Sequence, residues 1–229
     1  MPAKNAEKRY IENHYYHLYN RGVEKRKIFL DAQDRGVFLI YLKEYLLPKD
    51  EGLLRKKLAD PTTSDSDKAK ILKALRLNNF ASEMMLLAYA LMPNHFHLLV
   101  YQKSAQLIDA FMNSLGTRYS MYFNRKYTRV GPLYQGVYKA VLVDSEEQLL
   151  HLSRYIHRNP LSLQGVALKT LLEQSTSYKE YLGLRDTPWI HTDDILSYFS
   201  KSAPGTSYAA FINETDDIEI IRDMMIDLD

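Results

Sequence analysis

The sequence predicts an α+β fold in which an antiparallel sheet is covered by helices on one face. The apolar residues alternate between strand-like and helix-like spacing, in the order strand, helix, two strands, helix, strand, helix. Only a short turn separates the two central strands, which favours a hairpin and therefore antiparallel pairing.

The first part of the chain predicts one strand, one helix and an insertion. Residues 14–21 form an aromatic-rich stretch suited to a strand. Residues 34–47 place apolar side chains at helical spacing and are ended by Pro48. Residues 48–80 are polar and charge-rich, so we expect an excursion from the core, with short helices that flank a loop at 60–67.

The middle of the chain predicts a hairpin. Residues 83–92 and 95–101 are two apolar runs around the turn Pro93-Asn94. Alone, the first run is also compatible with a helix, because Met, Leu and Ala favour helices. The immediate turn and the second apolar run favour the hairpin.

Two helices and a strand complete the predicted core. Residues 105–127 have the spacing of a long amphipathic helix, and residues 133–143 have the pattern of a strand. Ser145 begins the next helix, with Gln148 three residues on as in a capping box, and this helix runs to Pro160.

The composition is that of an ordinary globular protein and excludes several kinds of chemistry. Of the 229 residues, 46% are hydrophobic, 25% are charged and none is cysteine. Disulfides, thiolate metal sites and cysteine nucleophiles are therefore excluded. The first ten residues are polar, unlike a signal peptide, and no apolar run approaches the roughly 20 residues that a membrane span needs. These features fit a reducing cytoplasm.

The charge is divided unevenly along the chain. Through residue 160 there are 25 basic and 16 acidic residues, a balance of +9, whereas the remainder has 5 and 12, a balance of −7. A basic front part indicates a polyanionic partner. The alternative is chance clustering of charges on solvated surfaces.

A pair of histidines is a candidate metal site. His95 and His97 lie two residues apart in a predicted strand and therefore point to the same face, with Phe96 on the other. Two imidazoles at this spacing can chelate one divalent ion. The motif alone is also compatible with two histidines that cap a strand.

A tyrosine and an asparagine form the second constellation. Tyr155 and Asn159 are four residues apart in a predicted helix and lie one above the other on its surface. A tyrosine hydroxyl can attack phosphorus when a metal polarises the phosphate, and the amide oxygen of Asn159 can serve as a third metal ligand. Taken alone, however, the two fit better as a packed tyrosine and a helix-end residue before Pro160.

Basic and aromatic residues interleave between residues 117 and 139. This is what a nucleic-acid surface needs, with cations for phosphates and rings for bases. The alternative is a helix with an ordinary solvated face. With Arg21 of the first strand included, the candidates for DNA contact are Arg21, Arg118, Arg125, Lys126, Arg129, Tyr134 and Lys139.

The motifs of several other enzyme classes are absent. The sequence contains no GxxxxGK[ST] or GxGxxG phosphate loop, no GxSxG elbow and no HExxH pair. No two carboxylates are arranged recognisably for glycoside chemistry.

In their order and spacing, these motifs resemble the REP-associated tyrosine transposases, members of the HUH single-tyrosine superfamily and close relatives of insertion-sequence transposases. Residues 16–23 resemble the first strand of that family, and LMPNHFHLLV resembles its His-hydrophobic-His strand. Residues 114–161 resemble the helix, the strand and the tyrosine-bearing helix that follow this strand in the family. The segment TSYKEYLG resembles a segment further downstream. The similarity covers roughly residues 14–185.

The resemblance implies a fold, a site and a reaction. It implies a ferredoxin-like core with a four- or five-stranded antiparallel sheet, the HUH nuclease core. It implies that His95 and His97 bind Mg²⁺ or Mn²⁺, that Tyr155 is the catalytic nucleophile and that Asn159 occupies the position of the third ligand. The implied reaction cuts single-stranded DNA through a 5′-phosphotyrosine, releases a 3′-hydroxyl and can rejoin strands, at hairpin-forming repeats or element ends.

We therefore predict a HUH transposase core at 10–165, interrupted by the insertion 48–80, and a helical C-terminal extension with an acidic tail at 166–229. The resemblance implies a cytoplasmic bacterial enzyme that acts on nucleoid DNA, without a membrane partner. A homodimer and a monomer both remain open. One alternative is a domesticated hairpin-binding protein without productive catalysis. Another is a replication or plasmid-transfer nickase, which the short chain and the lone tyrosine–asparagine pair disfavour.

Overall fold

The centre of the molecule is a four-stranded antiparallel sheet with strand order β2-β3-β1-β4. The computed structural model describes residues 10–200, 202–214 and 218–225. The strands are β1 His14–Arg21, β2 Met84–Met92, β3 His95–Gln102 and β4 Lys139–Val143. The longer helices are α1 Ala32–Leu46, α2 Glu51–Ala59, α3 Asp65–Arg76, α4 Leu107–Lys126 and α5 Glu146–Arg158. Short helices follow at α6 Tyr178–Tyr181, α7 Asp193–Leu196, α8 Tyr208–Asn213 and α9 Ile218–Ile221. The predicted α+β class, the first strand and the hairpin are confirmed.

One face of the sheet packs against α1 and α4. Leu18 and Leu98 from the two central strands meet Phe38 of α1 and Phe111 of α4, and all four side chains are fully buried. Helix α1 begins at a reciprocal cap, because the Asp31 carboxylate accepts from the Asp34 amide and the Asp31 amide donates to the Asp34 carboxylate. These are the helices that the sequence places on one face.

The opposite face is covered as well, so the expectation of helices on one face was too narrow. Helix α5 packs its apolar residues Leu152 and Ile156 onto this second face, beside Leu99 and Val143 of the sheet. The C-terminal segment adds further buried residues to the same cluster. The physical reason is that alternate side chains of the central strands are apolar on both faces, and each face needs cover.

The C-terminal segment also protects the edge of β2. The backbone amides of Leu91 and His191 donate to Ser175 and Leu86, at 2.9 and 2.8 Å, across this edge. The hydroxyl of Ser177 accepts from the Tyr89 amide at 2.9 Å. An exposed edge strand would otherwise be a template for aggregation. Part of the predicted acidic tail, at 215–217 and 226–229, lies outside the described residues.

The insertion 48–80 forms the helical hairpin α2–α3, as predicted, and neither helix contributes a buried residue. The predicted loop at 60–67 is shorter in the structure. Ser64 caps α3, which begins at Asp65, because the Ser64 hydroxyl accepts from the backbone amide of Asp67.

The strand predicted at 133–143 is regular only from Lys139 onward, so this prediction was wrong for residues 133–138. Gly131, which has a positive φ of 93°, and Pro132 redirect the chain before this segment. The segment then bonds to the end of β1 and its turn, through Gln135 amide to Arg21 carbonyl at 3.0 Å, instead of continuing the ladder.

Helix α5 begins as predicted at Ser145, whose hydroxyl accepts from the Gln148 amide. The Gln148 side-chain oxygen accepts from the amide of Asp144, whereas a capping box requires the amide of the next residue, Ser145. In the described part of the chain, no helix is both long enough and apolar enough to cross a bilayer.

Candidate active site

The two histidines of β3 lie on the face that α5 covers. Their rings are 4.8 Å apart between centroids and nearly perpendicular. Phe96, between them, enters the aromatic core on the other face, 5.1 Å from the Phe38 ring. The alternation predicted from the sequence is therefore what positions the pair.

A neighbouring amide orients His95. The Asn94 side chain donates to the Lys25 carbonyl, which turns its oxygen toward His95 Nδ1 at 2.6 Å. Because an amide oxygen only accepts, Nδ1 carries the proton and Nε2 carries the lone pair. This is the tautomer that a metal-binding histidine needs.

A chain of hydrogen bonds orients His97 in the same way. His17 Nδ1 lies 2.9 Å from the Met224 carbonyl and must donate to it, so His17 Nε2 is an acceptor. His97 Nδ1 lies 2.8 Å from that nitrogen and donates to it, which leaves the lone pair of His97 on Nε2. Burial lowers the pKa of His17 to about 3 and that of His97 well below its usual range, so both rings are neutral.

His97 Nε2 is buried and has no hydrogen-bond partner among the described residues. A buried acceptor without a partner is costly in a folded protein and points to a missing ligand. A divalent ion fits this atom, because the tautomer is fixed by the histidine relay behind it.

Asn159 is the third member of this site. It begins the 3-10 turn Asn159–Ser162 after α5 and is 5% exposed. Its Oδ1 lies 3.2 Å from His95 Nε2. In the tautomer derived above, both atoms direct lone pairs toward the same space, so a divalent cation could bind both. The donor set of two imidazoles and one amide oxygen therefore fits a divalent ion.

Within the described ranges, no group of three or more histidine, cysteine, aspartate or glutamate side chains is arranged to hold a metal. A metal here would therefore depend on the amide of Asn159 together with the two histidines.

Tyr155 is carried to this site by α5 of the same chain. Its ring meets the His97 ring edge-on, with 5.4 Å between centroids, and lies 6.3 Å from the His17 ring. The side chain is 7% exposed. The structure thus brings together His95, His97, Tyr155 and Asn159, although 58 residues separate His97 from Tyr155 in the sequence.

Two of the predicted DNA-contact residues share the site face. In the register of the sheet, Arg21 pairs with His95, and Tyr19 pairs with both His97 and Lys139. Directly paired residues project to the same side. Arg21 and the exposed Lys139 therefore flank the histidine pair.

Two other predicted contacts are used inside the protein. Arg118 pairs with Glu44 at 2.5 Å and lies over the Tyr41 ring at 3.8 Å. Lys126 binds Asp31 at 2.7 Å and the buried Asp34 at 2.8 Å. Both cations lie on α4, on the far side of the sheet, so the predicted phosphate contact loses its support at these two positions.

The last three predicted contacts lie at the C-terminal end of α4 or beyond it. Arg125 is exposed. Arg129 donates to the Asn124 side chain at 2.8 Å. Tyr134 lines a cavity beside α4.

Two further residues of the site, His17 and Asn94, were not predicted from the sequence. Each fixes the tautomer of one histidine of the pair. The alternation of side chains along β1 indicates that His17 and Tyr19 share one face. It does not indicate that His17 lies next to His97, because that depends on the register between β1 and β3.

Comparison with known families and structures gives one family match and a fold likeness. Residues 54–159 match the model of the family described as "Transposase IS200 like". That range includes both histidines of β3 and Tyr155, and it ends at Asn159. It does not include β1, which carries His17.

A search of solved structures finds the REP-associated tyrosine transposase bound to a REP hairpin, with a TM-score of 0.50 and 11% sequence identity. The match covers 82% of this chain and 96% of that one. At this identity the likeness shows the fold. Among curated protein sequences, no match was found. Across residues 54–159 the chain thus matches the IS200-like transposase family, and its α+β fold is that of the REP-associated tyrosine transposase.

Proposed function

We propose that this protein is a metal-dependent transposase that nicks and joins single-stranded DNA, with Tyr155 as the nucleophile. One observation carries the proposal. The Tyr155 ring lies edge-on against His97, whose buried Nε2 is oriented by a histidine relay and has no partner among the described residues. A nucleophile beside a nitrogen whose lone pair can bind a metal ion is the arrangement that metal-assisted phosphoryl transfer requires.

In the proposed reaction the Tyr155 oxygen bonds to a DNA phosphorus, and the bond from that phosphorus to the 3′-oxygen breaks. The phenol loses its proton and the departing 3′-oxygen gains one. The products are a 5′-phosphotyrosine and a 3′-hydroxyl. A 3′-hydroxyl can attack the phosphotyrosine in the reverse sense, which joins strands without ATP because the phosphodiester energy is conserved.

His95, His97 and Asn159 would hold Mg²⁺ or Mn²⁺. When bound, such an ion offsets the charge that develops on the phosphate oxygens. Arg21 and Lys139, on the same sheet face, would hold the flanking phosphates. The buried relay through His17 keeps the ligand ring fixed during the reaction.

For the substrate we propose hairpin-forming repeat or element-end DNA with a single-stranded flank. Support comes from the structural neighbour, which is bound to a REP hairpin. The basic balance of the first 160 residues agrees with a polyanionic partner. Such DNA lies in the bacterial nucleoid, so we propose the cytoplasm as the place of action.

The decisive experiment incubates the protein with end-labelled hairpin oligonucleotides and Mn²⁺, then separates protein–DNA adducts on a denaturing gel. We expect an adduct with wild type and none with Tyr155→Phe, while hairpin binding persists in both. Binding without any adduct in wild type would favour the domesticated hairpin-binding protein. Cutting by Tyr155→Phe at the wild-type rate would remove Tyr155 from the mechanism.

A metal measurement tests the ligand set without relying on activity. The electron paramagnetic resonance signal of free Mn²⁺ should fall when wild type is added, and much less with His97→Gln. Asn159→Leu should weaken binding more moderately, because it removes one of three ligands. Equal Mn²⁺ binding by all three proteins would show that the ion binds elsewhere.

We also propose that one chain builds the complete site, since Tyr155 and the histidines come together within a single chain. A mixture of Tyr155→Phe and His97→Gln proteins should then form no adduct. Recovery of adduct formation in the mixture would instead mean that two chains share their sites.

A further inference from the structure

A pocket lies where the insertion 48–80 meets the core of the protein. It is bounded by residues 43–49, by residues 70–77 of α3 and its end, and by Arg118 of α4, and we call it the insertion pocket. Its volume is about 530 Å³. Pockets that hold small molecules have volumes of roughly 300–1,000 Å³, so a ligand of that kind fits here. The proposed cleavage chemistry uses none of these residues.

Positive charge is concentrated around the insertion pocket. Of the described residues that line it, only Glu44 is a carboxylate, whereas five are cations. The cations are Lys43, Lys49, Lys70, Lys73 and Arg118. Like charges that converge on one cavity repel one another, and the same field concentrates anions there. The cluster therefore indicates an anionic ligand.

Two of the five cations carry the charge that remains for a ligand. The other three have carboxylate partners, in the pairs Arg118–Glu44, Lys70–Asp67 and Lys49–Glu51, at 2.5, 2.8 and 3.2 Å. Lys43 and Lys73 are exposed and have neither a carboxylate nor a hydrogen-bond partner among the described residues. Their two positive charges match a phosphate monoester, which carries about 1.5 to 2 negative charges near neutral pH.

The helix ends beside the pocket do not consume these two charges. Helices α1 and α3 both end here, and the last carbonyls of a helix carry partial negative charge. The Lys49 ammonium covers the end of α3, because it donates to three of its last carbonyls at 3.4, 3.3 and 3.0 Å. The Asn79 amide covers the end of α1 in the same way, at 3.2 and 2.8 Å. Lys43 and Lys73 are therefore left for a ligand.

The remaining lining of the pocket is apolar and consists of Leu47, Pro48, Ala74 and Leu77. A bare phosphate ion would leave this surface in contact with water, whereas a phosphate ester with a flat apolar body would cover it. Arg118 adds a hydrogen-bond donor, because its Nη1 is buried without a partner among the described residues. The lining thus suits a ligand that is anionic in one part and flat and apolar in another.

We propose that the insertion pocket binds a nucleoside monophosphate. Lys43 and Lys73 hold the phosphate group, and the apolar floor covers the sugar and the base. Because α3 contributes Lys73 and part of the floor, the insertion 48–80 is what completes this site. A free nucleotide and the phosphorylated 5′ end of a DNA strand share this chemistry, and the experiment separates the two.

The site is independent of the proposed cleavage function. Helices α1 and α4 pack on the sheet face opposite to the histidine pair, so the ligand lies apart from the phosphodiester that is cut. Binding can therefore be measured with no DNA and no metal ion present. Its outcome does not depend on whether the protein forms an adduct.

Isothermal titration calorimetry of the full chain with AMP tests the site. We expect one AMP per chain, with a Kd on the order of 100 µM for a ligand of this size in an open pocket. Adenosine lacks the phosphate and inorganic phosphate lacks the apolar body. Each should bind at least about tenfold more weakly than AMP, because each uses only one part of the lining.

Paired substitutions show whether the charge acts at this pocket. Lys43→Gln combined with Lys73→Gln should weaken AMP binding at least about tenfold, because two charge-assisted contacts to the phosphate are lost. The matched control combines Lys56→Gln with Lys57→Gln. These exposed lysines lie on α2 of the same insertion and are not among the residues that line the pocket. The control should bind AMP within about twofold of wild type, since exposed charges at a distance are screened by salt.

The source of the nucleotide is identified by competition with single-stranded DNA. Displacement of AMP by a 5′-phosphorylated strand, but not by the same strand without its phosphate, would support the site and identify a DNA end as the ligand. No displacement by either strand, with AMP bound, would support the site and identify a free nucleotide.

Three results would overturn the proposal. One is no binding of AMP at millimolar concentration. Another is an equal loss of AMP affinity in the Lys43/Lys73 variant and in the control, which would mean that general charge attracts the ligand. The third is equal displacement of AMP by both DNA strands, which would indicate contact with the DNA backbone instead of a terminal phosphate.

Discussion

The two faces of the central sheet bury different chemistry. The face toward α1 and α4 encloses aromatic and aliphatic side chains, and Phe38 alone meets three other rings between 5.1 and 5.3 Å away. The face toward α5 buries His17, His95 and His97, none more than 5% exposed. Burial of polar rings costs free energy that apolar packing does not. We infer that the first face stabilises the fold and that the second holds reactive groups in place.

The lysines near the two faces of the sheet also differ in their surroundings. Lys126, next to the aromatic face, is bound by two carboxylates. Lys139, on the histidine face, is exposed and has no carboxylate partner in the part of the chain that the structure describes. A positive charge that is already neutralised contributes little to phosphate binding, so position relative to the sheet matters more than charge alone.

The largest expected effect separates two buried tyrosines on opposite faces. Tyr155→Phe should reduce adduct formation by at least about a thousandfold, because the nucleophilic oxygen is lost. Tyr119→Phe, next to α1, should leave adduct formation intact and cost about 1 kcal/mol of stability, since it removes a hydrogen bond to the Ile28 carbonyl. A denaturing gel measures adduct formation and chemical denaturation measures stability. Equal losses of adduct formation in the two variants would contradict the assignment of the chemistry to the α5 face.

The aromatic face should dominate stability. Phe38→Ala should lower the free energy of unfolding by about 3–5 kcal/mol, because it leaves a cavity in a fully enclosed cluster. Urea denaturation at fixed pH measures this loss. A change below about 1 kcal/mol would mean that this cluster is not central to folding.

Sensitivity to acid should arise mainly from the α5 face. Burial lowers the pKa of His157 to about 3, and this neutral ring bonds the Tyr208 and Ser177 hydroxyls. The unfolded chain takes up a proton below about pH 6.5 and the folded ring does not, so stability falls as the pH drops from there toward 3. The slope should approach about 1.4 kcal/mol per pH unit for this group.

His157→Gln should flatten part of that slope between pH 6 and 5, measured by denaturation at each pH. Asp34 provides the contrast on the other face. Although burial opposes it, bonds from Lys126, the Leu30 amide and two tyrosines hold the pKa of Asp34 below its usual range. Its contribution is therefore lost only in stronger acid. An unchanged slope in His157→Gln would show that this ring does not govern acid sensitivity.

The smallest expected effect concerns the two lysines. Lys139→Gln should weaken hairpin binding several-fold. It should also reduce the slope of log affinity against log salt concentration by about one, as expected for the loss of one phosphate contact. Lys126→Gln should leave binding nearly unchanged but lower the thermal stability, because Asp34 stays buried without its cation. Anisotropy titrations over a range of salt concentrations test the pair, and a reversed order of binding losses would reject the assignment.

Much of the fold could be predicted because its signals are local. The spacing of apolar residues located β1, the hairpin and α4, and the cap at Ser145 marked the start of α5. The segment 133–138 was wrongly predicted as strand because its apolar side chains can pack against the core from a loop as well as from a strand. The cover on the second sheet face was missed because the short C-terminal helices carry little periodicity.

In the candidate site, too, the local relations could be predicted from the sequence and the long-range ones could not. The sequence by itself determined that His95 and His97 share a face and that Tyr155 and Asn159 share a helix surface, because these relations depend only on the repeat of a strand and of a helix. Tertiary structure alone decided that the pairs meet, that His17 fixes His97, and that Lys126 is neutralised while Lys139 is not. Strand register and helix docking set these relations, and both depend on packing between residues far apart in the chain.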